Sequence, residues 1–338
     1  MGSSLPASDP SWKEIVKPVD PFLDGVSRRL AVEVDAFDPA VAGFVAYALT
    51  NQGKQLRSAL VALCGGVFGA AGESHVTVAV IIEMVHLATL VHDDITDDAV
   101  MRRRQPTLTA QWGPTISVLT GDCLFANALR LASGFPTTAI CRAVAEATQE
   151  VCTGEIIQTR LAGNLELTRD EYFKILRMKT GELFALSCQL GGQVAGATLE
   201  QQAALRQFGL DLGIAYQIYD DCLDLFSTEA MTGKSLGADL AHGKLTLPVI
   251  VALERAGGSD RASLSRWIQE WAPDHMAGLL EILDRYRALE ESLRTIQHYV
   301  NSARKELGGL PANPSRDALG LMAGFLVRET AQLAGCPQ

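Results

Sequence analysis

The chain has 338 residues, and its 29 Lys and Arg against 39 Asp and Glu give a formal net charge of −10. This charge excludes general binding to nucleic acid or to an anionic membrane surface, so any anionic ligand must be held by locally placed cations. Hydrophobic residues make up 48% of the chain and aromatic residues only 6%. Because Ala and Leu are abundant and β-branched runs are short, the composition predicts an all-α protein.

Helical periodicity with Gly or Pro breaks continues from residue 20 to 330, without a long linker or an internal repeat. It predicts one all-helical domain over residues 19–338, a single bundle of roughly ten or more helices around a central cavity. A disordered segment is expected over residues 1–18. Helix breaks are predicted at 51–53, 69–74, 104–114, 133–137, 162–169, 227–243, 257–260 and 308–315.

The cysteines and apolar stretches bear on location. Seven cysteines are scattered without a Cys-x-x-Cys pair, which is typical of a reducing cytosol and not of a disulfide framework or a zinc site. The longest apolar stretch, residues 76–92, is a poor membrane span because Glu83 and His86 interrupt it. The first residues lack the basic-then-apolar order of a signal peptide. A cytoplasmic protein without stable membrane insertion is therefore expected.

Two Asp-Asp-x-x-Asp clusters lie at residues 93–97 and 220–224. In both segments polar residues recur three or four positions apart, so they share one face of an otherwise apolar helix. The first face carries Ile82, His86, Thr89, Asp93 and Asp97, and the second carries Gly213, Gln217, Asp220, Asp221 and Asp224. Such a stripe is either solvated or part of a polar cavity, because unpaired carboxylates do not stay buried.

The spacing of the clusters suits a hard cation. One helical turn separates the outer carboxylates of each cluster, so they can share a cation through oxygen ligands. Mg²⁺ prefers one or two carboxylates plus substrate phosphate, and two facing clusters therefore predict a clamp for a metal-bound diphosphate. A single Asp-rich helix end is more often a solvated face or a helix cap. The pair, 127 positions apart, is what favours the metal site.

Basic residues occur where a diphosphate would need them, beside the clusters and at earlier turns. They are Lys54, Arg57, Arg102, Arg103, Arg104, Lys179, Lys234 and Lys244. Arginine suits bidentate phosphate binding, and lysine supplies a compact charge. Any one of these side chains alone would be interpreted as a solvated surface residue.

Together these residues resemble the trans-isoprenyl diphosphate synthase (polyprenyl synthetase) family over nearly the whole chain. The matching runs are residues 53–57, 83–97, 102–103, 106–107, 121–122, 179–180, 217–221 and 234–248. The resemblance implies an isoprenoid synthase fold, a homodimer and two to three Mg²⁺ per site. It also implies the reaction, in which isopentenyl diphosphate is condensed head to tail with an allylic prenyl diphosphate and diphosphate is released.

The resemblance further implies residue roles. Asp93, Asp97 and Asp220 would bind Mg²⁺, with Asp94, Asp221 and Asp224 as ligands or in the outer shell. The allylic diphosphate would be held by Arg102, Lys179, Thr180, Gln217, Lys234 and Lys244, and isopentenyl diphosphate by Lys54, Arg57, His86 and Arg103. The catalytic set is then Asp93, Asp97, Lys179, Asp220 and Lys234. His86 alone would be interpreted as a core histidine, so its role rests on the resemblance.

Four positions depart from the family pattern. Gln52 and Ser58 replace the usual glycine and proline around the first basic turn, and Arg104 replaces the glycine after the arginine pair. Tyr216 stands where phenylalanine is common. These changes are expected to alter loop geometry or the affinity for isopentenyl diphosphate more than the reaction class.

Product length is expected to depend on the residues below the first cluster. Ala88 and Thr89 precede Asp93 by five and four positions, so their side chains lie about one turn down the cavity wall. Small side chains there leave a tunnel open, which predicts products longer than C20, in the C30–C50 range. A large residue on a neighbouring helix, at 124–131, would form the floor instead.

Three other functions remain open. A short-chain farnesyl or geranylgeranyl diphosphate synthase would share every motif. A class I terpene cyclase normally has an Asn-Ser/Thr-Glu second metal motif, and the residues Lys54, Arg57 and Arg103 argue against it. A non-catalytic subunit of a heteromeric prenyl synthase typically loses one or both Asp clusters, whereas both are intact here.

Overall fold

The computed structural model describes residues 11–50, 53–228 and 236–335, which are almost entirely helical. The first half contains α1 Trp12–Val16, α2 Asp20–Val34, α3 Pro39–Thr50, α4 Leu56–Gly66, α5 Glu73–Thr96, α6 Leu108–Ser133 and α7 Ala139–Arg160. The second half contains α8 Arg169–Leu176, α9 Glu182–Val194, α10 Leu199–Phe226, α11 Ala238–Ala241, α12 Leu247–Arg255, α13 Gly258–Gln269, α14 Met276–Arg285, α15 Ala288–Glu306 and α16 Pro314–Gly335. The predicted all-α fold class is confirmed.

Two short strands and several tight turns complete the described chain. The strands β1 Met101–Arg102 and β2 Gln105–Pro106 pair antiparallel in a hairpin after α5. A π-helical turn, Arg177–Gly181, joins α8 to α9 without a loop. The 3₁₀ turns are Lys17–Val19, Pro273–His275 and Leu307–Gly309.

Threonine side chains determine where several helices begin. Thr107 caps the start of α6, and Thr168 and Thr198 form capping boxes with Glu171 and Gln201 at the starts of α8 and α10. An N-cap accepts hydrogen bonds from backbone N–H groups that have no partner inside the helix. These local sequences therefore fix where α6, α8 and α10 begin.

The helices α5, α9 and α10 form the centre of the bundle. α5 packs along α6, α9 lies between α4 and α10, and α15 covers another side of α10. Buried apolar residues form one cluster around α5 and another around α10. α9 joins the two clusters, because Leu183 and Leu186 belong to the first whereas Phe184 and Cys188 belong to the second.

Within the described residues, α5 is the one helix long and apolar enough to cross a membrane by length and composition. Neighbouring helices bury 67% of its most apolar window. Its last turns carry the first Asp cluster, which no membrane interior would accommodate without partners. α5 is thus the core helix of the bundle.

Helix α1 lies within the segment that was expected to be disordered. Ser11 and Glu14 form a capping box at its start, and its residues Ile15 and Val16 are buried. Trp12 packs against the ring of Phe325 in α16, with the ring centroids 5.9 Å apart. These apolar contacts compensate the entropy of ordering a short helix, so the prediction of disorder over residues 1–18 is corrected for residues 12–18.

Helix α6 begins at Leu108, inside the break predicted at 104–114. The Gly and Pro residues that suggested a loop produce a kink instead. Gly113 has φ 82° and ψ 166°, and Pro114 follows it inside the helix. Glycine is needed here because a positive φ is strained for residues with a side chain.

Two glycines allow α10 to approach α9 and the π turn closely. A Cβ on Gly209 would lie 2.5 Å from the Phe184 carbonyl oxygen, and a Cβ on Gly213 would lie 2.9 Å from the Cα of Gly181. Both distances are shorter than non-bonded atoms tolerate. The approach also fixes the next turns of α10, which carry Gln217 and Asp220.

We expect Gly209→Ala to lower the free energy of unfolding by about 1–3 kcal/mol, since backbone cannot yield as a flexible side chain does. The matched control is Gly43→Ala on the exposed side of α3, where no atom lies within 4 Å of an added Cβ. That variant should gain about 0.5–1 kcal/mol from helix propensity. Urea unfolding measures both, and equal effects would contradict the close approach.

Candidate functional site

A cavity of about 620 Å³ lies at the centre of the bundle, between α4, α5, α6, α7, α9, α10 and the hairpin. The predicted site residues that line it are Lys54, Arg57, His86, Thr89, Asp93, Arg102, Arg103, Lys179, Thr180, Gln217 and Asp220. Those that do not line it are Ala88, Asp94, Asp97, Asp221, Asp224 and Lys244. Gln52 and Lys234 lie outside the described residues. Both acidic clusters and both sets of cations therefore meet at one cavity.

The first acidic cluster occupies the last turn of α5. Burial, with the charges of Glu155 and Asp97 added, raises the pKa of Asp93 to about 6, although Lys179 opposes the shift. A raised carboxyl pKa means that the ionised form lacks stabilisation where it lies. The cavity therefore concentrates negative charge that a cation would relieve.

Two cations already contact this cluster from other elements. Arg102 Nε in the hairpin donates to Asp94 Oδ1 at 2.7 Å, and Lys244 Nζ donates to Asp97 Oδ1 at 2.7 Å. Lys244 is 147 residues from Asp97 in sequence, so this ion pair closes the loop after the second cluster onto the first cluster. The predicted allylic-side residues Arg102 and Lys244 thus lie at the cluster but hold carboxylates in the structure.

Lys179 lies in the π turn and reaches the cavity between two helices. Its Nζ lies 3.9 Å from Asp93 Oδ2, forms an ion pair with Glu155 and donates to Gln158 Oε1 at 2.9 Å. Burial lowers the pKa of Lys179, but the neighbouring carboxylates raise it more, so the ammonium is maintained. π turns occur frequently at functional sites, because they redirect side chains within a helix.

Glu155 and Gln158 on α7 were not identified from the sequence. They are three positions apart, which places them on one helix face, and Gly154 beside them lets α7 approach the π turn. A Cβ on Gly154 would lie 2.9 Å from the Cβ of Met178. The sequence offered one signal for them, a Gly-Glu-x-x-Gln run inside a long amphipathic helix. This signal is weak as long as the element that packs against the helix is unknown.

The second acidic cluster divides between cavity and core. Asp220 lines the cavity, whereas Asp221 is buried behind it. Tyr172 donates its hydroxyl to Asp221 Oδ2 at 2.6 Å, and Gln217 Nε2 donates to Asp221 Oδ1 at 2.9 Å. Burial, with Asp239 nearby, raises the pKa of Asp221 to about 8 against the effect of these hydrogen bonds. Thr180 donates to Gln217 Oε1 at 2.8 Å, so both ends of this amide are fixed.

Asp224 is fully buried and organises the loop after α10. Its Oδ1 accepts from the backbone N–H of Ala238 at 3.2 Å, and its Oδ2 accepts from that of Asp239 at 3.1 Å. A carboxylate at the N-terminus of a helix is favoured by the free N–H groups there. In this structure Asp224 therefore supports α11, which leads to Lys244.

The opposite side of the cavity is basic. The Arg57 guanidinium lies over the Phe184 ring, with Cζ 4.9 Å from the ring centroid, and its buried Nε has no hydrogen-bond partner. Arg103 and Lys54 line the same side. A buried guanidinium N–H without an acceptor is costly, so this side of the cavity is suited to an anionic oxygen.

His86 lies among these cations. Burial lowers its pKa well below the usual value, and Arg57 and Arg103 lower it further, so the imidazole is neutral. Glu83 one turn earlier accepts hydrogen bonds from the Ser58 hydroxyl at 2.7 Å and from its backbone N–H at 3.3 Å. Ser58, where the family usually has proline, thus donates two hydrogen bonds that proline could not.

The hairpin turn shows the conformational cost of a second departure, Arg104 in place of the usual glycine. Arg103 has φ 49° and Arg104 has φ 65°, so both residues at the tip adopt the left-handed conformation. Glycine adopts this conformation without strain, whereas arginine does so at some cost. Gly53 faces the hairpin, since a Cβ there would lie 2.3 Å from Nη2 of Arg103. Glycine at position 53 therefore makes room for the Arg103 guanidinium.

The predicted product-length residues occupy different positions. Thr89 lines the cavity, whereas Ala88 is fully buried in the apolar cluster around α5. Other lining residues include Phe125 on α6, which lies in the segment 124–131 considered from sequence, and Cys152 on α7. Both α6 and α7 therefore contribute to the cavity wall.

The donors at the centre of the cavity fit a hard divalent cation. Among the described residues, no cluster of three or more His, Cys, Asp or Glu side chains forms a complete metal centre. Asp93 and Asp220 nevertheless both line the cavity and offer carboxylate oxygens, the ligands that such cations prefer. The raised pKa of Asp93 indicates uncompensated negative charge at that point. This arrangement suits a cation whose remaining ligands come from a bound substrate.

Comparisons with known proteins agree on one family. The polyprenyl synthetase family model matches residues 38–284. The heptaprenyl diphosphate synthase component 2 of Bacillus subtilis is 34% identical over 305 residues, which cover 90% of this chain and 87% of that protein.

Solved structures are similar over almost the whole chain. A decaprenyl diphosphate synthase from Rhodobacter capsulatus has a TM-score of 0.87 and 32% identity, covering 94% of this chain and 98% of that one. A polyprenyl synthase from Caulobacter crescentus, complexed with calcium and isoprenyl diphosphate, has a TM-score of 0.88 and 31% identity, covering 95% of this chain and 99% of that one.

The hydroxyl of Tyr172 should stabilise the fold through Asp221. We expect Tyr172→Phe to cost about 1–3 kcal/mol of unfolding free energy, because a buried carboxyl loses a donor. Tyr286→Phe is the matched control, since its hydroxyl donates to Asp260 at 3.1 Å near the surface and should cost less than about 0.5 kcal/mol. Urea unfolding would show equal losses if the buried bond were unimportant.

Proposed function

The chain belongs to the polyprenyl synthetase family, and we propose that it is a trans-polyprenyl diphosphate synthase that adds isopentenyl diphosphate to an allylic prenyl diphosphate. Its enzyme class is prenyltransferase. The observation that carries the proposal is the cavity in which Asp93 and Asp220 face the basic group of Arg57, His86 and Arg103. The acidic half, with Asp93 and Asp220, suits a metal-bound diphosphate. The basic half, with Arg57, His86 and Arg103, suits a diphosphate held by side chains.

The acidic half is proposed to bind the allylic diphosphate with two to three Mg²⁺. Asp93, Asp97 and Asp220 are the proposed ligands, with Asp94, Asp221 and Asp224 behind them. The side chains proposed to contact the diphosphate are Arg102, Lys179, Thr180, Gln217, Lys234 and Lys244. Bound Mg²⁺ would neutralise the diphosphate as negative charge develops on it.

The basic half is proposed to bind isopentenyl diphosphate through Lys54, Arg57, His86 and Arg103. A neutral His86 can donate one N–H to a phosphate oxygen without adding a further charge between two guanidinium groups. The unsatisfied Nε of Arg57 supports the same assignment.

The reaction follows from this division of charge. The allylic C–O bond breaks, and its electron pair leaves with diphosphate, next to the ammonium of Lys179. The isopentenyl double bond then attacks the allylic cation and forms the new C–C bond. Loss of a proton to the departing diphosphate restores a double bond. Leu90, Phe125 and Val151 line the cavity and limit the access of water to the cation.

Products longer than C20, in the C30–C50 range, are proposed. The relatives named above as heptaprenyl and decaprenyl diphosphate synthases have products of seven and ten C5 units. In this chain the small side chain of Thr89 lines the cavity, one helical turn before Asp93. A short-chain synthase is less well supported, and a terpene cyclase would have no use for the basic half.

The test is chain elongation by the purified chain with Mg²⁺ and labelled isopentenyl diphosphate, using C10, C15 and C20 allylic primers separately. Sizing of the dephosphorylated products should show chains beyond C20. A stop at C15 or C20 would contradict the product length but not the class. Release of diphosphate without elongation, or a cyclic hydrocarbon, would contradict the proposed reaction.

Substitutions in the acidic half test its role in the same assay. Asp93→Asn and Asp220→Asn should each lower turnover about 10²–10³-fold, as expected for lost electrostatic stabilisation of a transition state. Asp98→Asn is the matched control, because Asp98 is exposed and has φ 45°, a conformation that asparagine tolerates. Circular dichroism would confirm that all three fold alike.

A homodimer formed through α6 is also proposed. Val118, Leu119 and Leu129 expose 42%, 55% and 40% of their surface on the outward side of α6. A two-fold axis through this face would bury the same residues in both copies. Light scattering should give twice the chain mass of 36.3 kDa, and Leu119→Asp should give monomers whereas Val32→Asp on α2 should not. A monomeric wild type would contradict the proposal, and a requirement for a second polypeptide would favour a heteromeric enzyme.

A cytoplasmic location is proposed from the cysteines. Those in the described residues, Cys64, Cys123, Cys141, Cys152, Cys188 and Cys222, are all free thiols. Free thiols on a helical enzyme are typical of a reducing compartment.

A further inference from the structure

Tyr216, one of the departures from the family pattern, belongs to the walls of two cavities. Besides the central cavity, an outer cavity of about 360 Å³ lies between α1, α4, α10 and α16. Tyr219 and Phe325 are among the residues that line the outer cavity alone. Lys54, Leu56, Tyr216 and Asp220 line both cavities. Tyr216 therefore lies at the boundary of the reaction centre, on the side of the basic half.

The ring of Tyr216 is held in place by Phe184 of α9. The two ring centroids lie 5.6 Å apart, and their planes are inclined by 35°. The Arg57 guanidinium lies over the same Phe184 ring. Gly213, one turn before Tyr216, allows this packing, since a Cβ there would lie 3.0 Å from the Phe184 Cβ. Phe184 thus contacts both side chains and sets the position of Tyr216 relative to Arg57.

The Tyr216 side chain interacts with charged groups from both halves of the site. Burial, with the charge of Asp220 added, raises the pKa of Tyr216, although Arg57 and Arg103 oppose the shift. The phenol therefore keeps its proton and can donate one hydrogen bond. Its oxygen is also near enough to both guanidinium groups for their charges to act on it.

Among residues 11–50, 53–228 and 236–335, no group forms a hydrogen bond with the Tyr216 hydroxyl. The hydroxyl of Tyr172, by contrast, donates to Asp221 at 2.6 Å. The amide of Gln217, next to Tyr216, is satisfied at both ends by Thr180 and Asp221. A half-buried hydroxyl that has no partner in the described chain and lines a cavity is available to a ligand bound there.

We propose that the Tyr216 hydroxyl donates a hydrogen bond to the diphosphate of isopentenyl diphosphate, which makes Tyr216 a further binding residue of the basic half. This inference rests on the proposed function, because it adds a contact to a substrate of that reaction. A diphosphate held by Arg57 and Arg103 presents several acceptor oxygens to the groups beside them. The phenol is one of these groups and supplies a donor.

A neutral donor suits this place better than a further cation. Burial and the charge of Arg103 already lower the pKa of Arg57, so another positive charge would increase the repulsion. Phenylalanine, which is common at this position in the family, would keep the contact with Phe184 but would lack the donor. The departure at Tyr216 therefore strengthens the binding of isopentenyl diphosphate and leaves the reaction class unchanged.

Tyr216→Phe tests the proposal, because it removes the hydroxyl and keeps the ring. Calorimetric titration with isopentenyl diphosphate alone, in EDTA, reports on the basic half, since neither Mg²⁺ nor an allylic primer is present. The Kd should rise about tenfold, as expected for a lost hydrogen bond to a charged group. In the elongation assay the KM for isopentenyl diphosphate should rise similarly, whereas the KM for a C15 primer should stay within about twofold of wild type.

Tyr219→Phe is the matched control, since Tyr219 is a half-buried tyrosine of the same helix that lines the outer cavity alone. It should leave the Kd unchanged, and circular dichroism should show that both variants fold. An unchanged Kd for Tyr216→Phe, or an equal rise for Tyr219→Phe, would overturn the proposal. So would a change confined to the Mg²⁺ requirement or to the KM of the primer, because the hydroxyl would then serve Asp220. If the wild-type chain did not bind isopentenyl diphosphate, the proposed function itself would be contradicted.

Discussion

The constraint on which the site depends is the repulsion among carboxylates that are held together in a half-buried cavity. Burial, with the carboxylates of Glu155 and Asp97 nearby, raises the pKa of Asp93 to about 6, so its ionised form is poorly stabilised. Removing these carboxylates would relieve the repulsion but would also remove the oxygen ligands. The ammonium groups of Lys179, in the π turn, and Lys244, in the loop after α11, offset part of the negative charge of these carboxylates. The cluster therefore still suits a further cation.

Helix α5 also separates two groups of charged side chains. His86 and Asp93 lie on one face, seven residues apart, which corresponds to about 10 Å along the helix axis. Besides burial, the charges that lower the pKa of His86 are those of Arg57, Arg103 and Arg102, whereas Asp93 has the carboxylates of Glu155 and Asp97 beside it together with Lys179 and Lys244. Under the proposed function, a single rigid helix sets the spacing between a diphosphate held by side chains and one held through metal, in a chain whose net charge is −10.

The sequence predicted those features that arise from a short-range pattern. The period of the polar stripe correctly placed His86, Thr89 and Asp93 on one cavity wall, and the all-helical class followed from composition. Features that depend on packing between distant helices were missed. Glu155 gains its role only because Gly154 lets α7 approach the π turn, and no local pattern shows which turn that will be. Proximity to Asp93 alone did not distinguish Thr89 from Ala88, because neighbouring residues on a helix point about 100° apart. Phe125 was anticipated only as a large residue somewhere in the segment 124–131.

The charged groups of the cavity and a set of apolar or small side chains lie on different turns of α5 and α7. The charged groups lie on the last turns of α5 and the facing turns of α7, whereas Val85 and Ala145 lie two or more turns away on the same helices. A change of side-chain volume at the far end leaves the diphosphate sites in place, because rigid helices separate the two ends. Relatives that share this fold are named for products of different length, which is the variation that such a separation permits. Under the proposed function, product length depends on apolar side chains of α5, α6 and α7, while the acidic and basic halves of the cavity carry out the reaction.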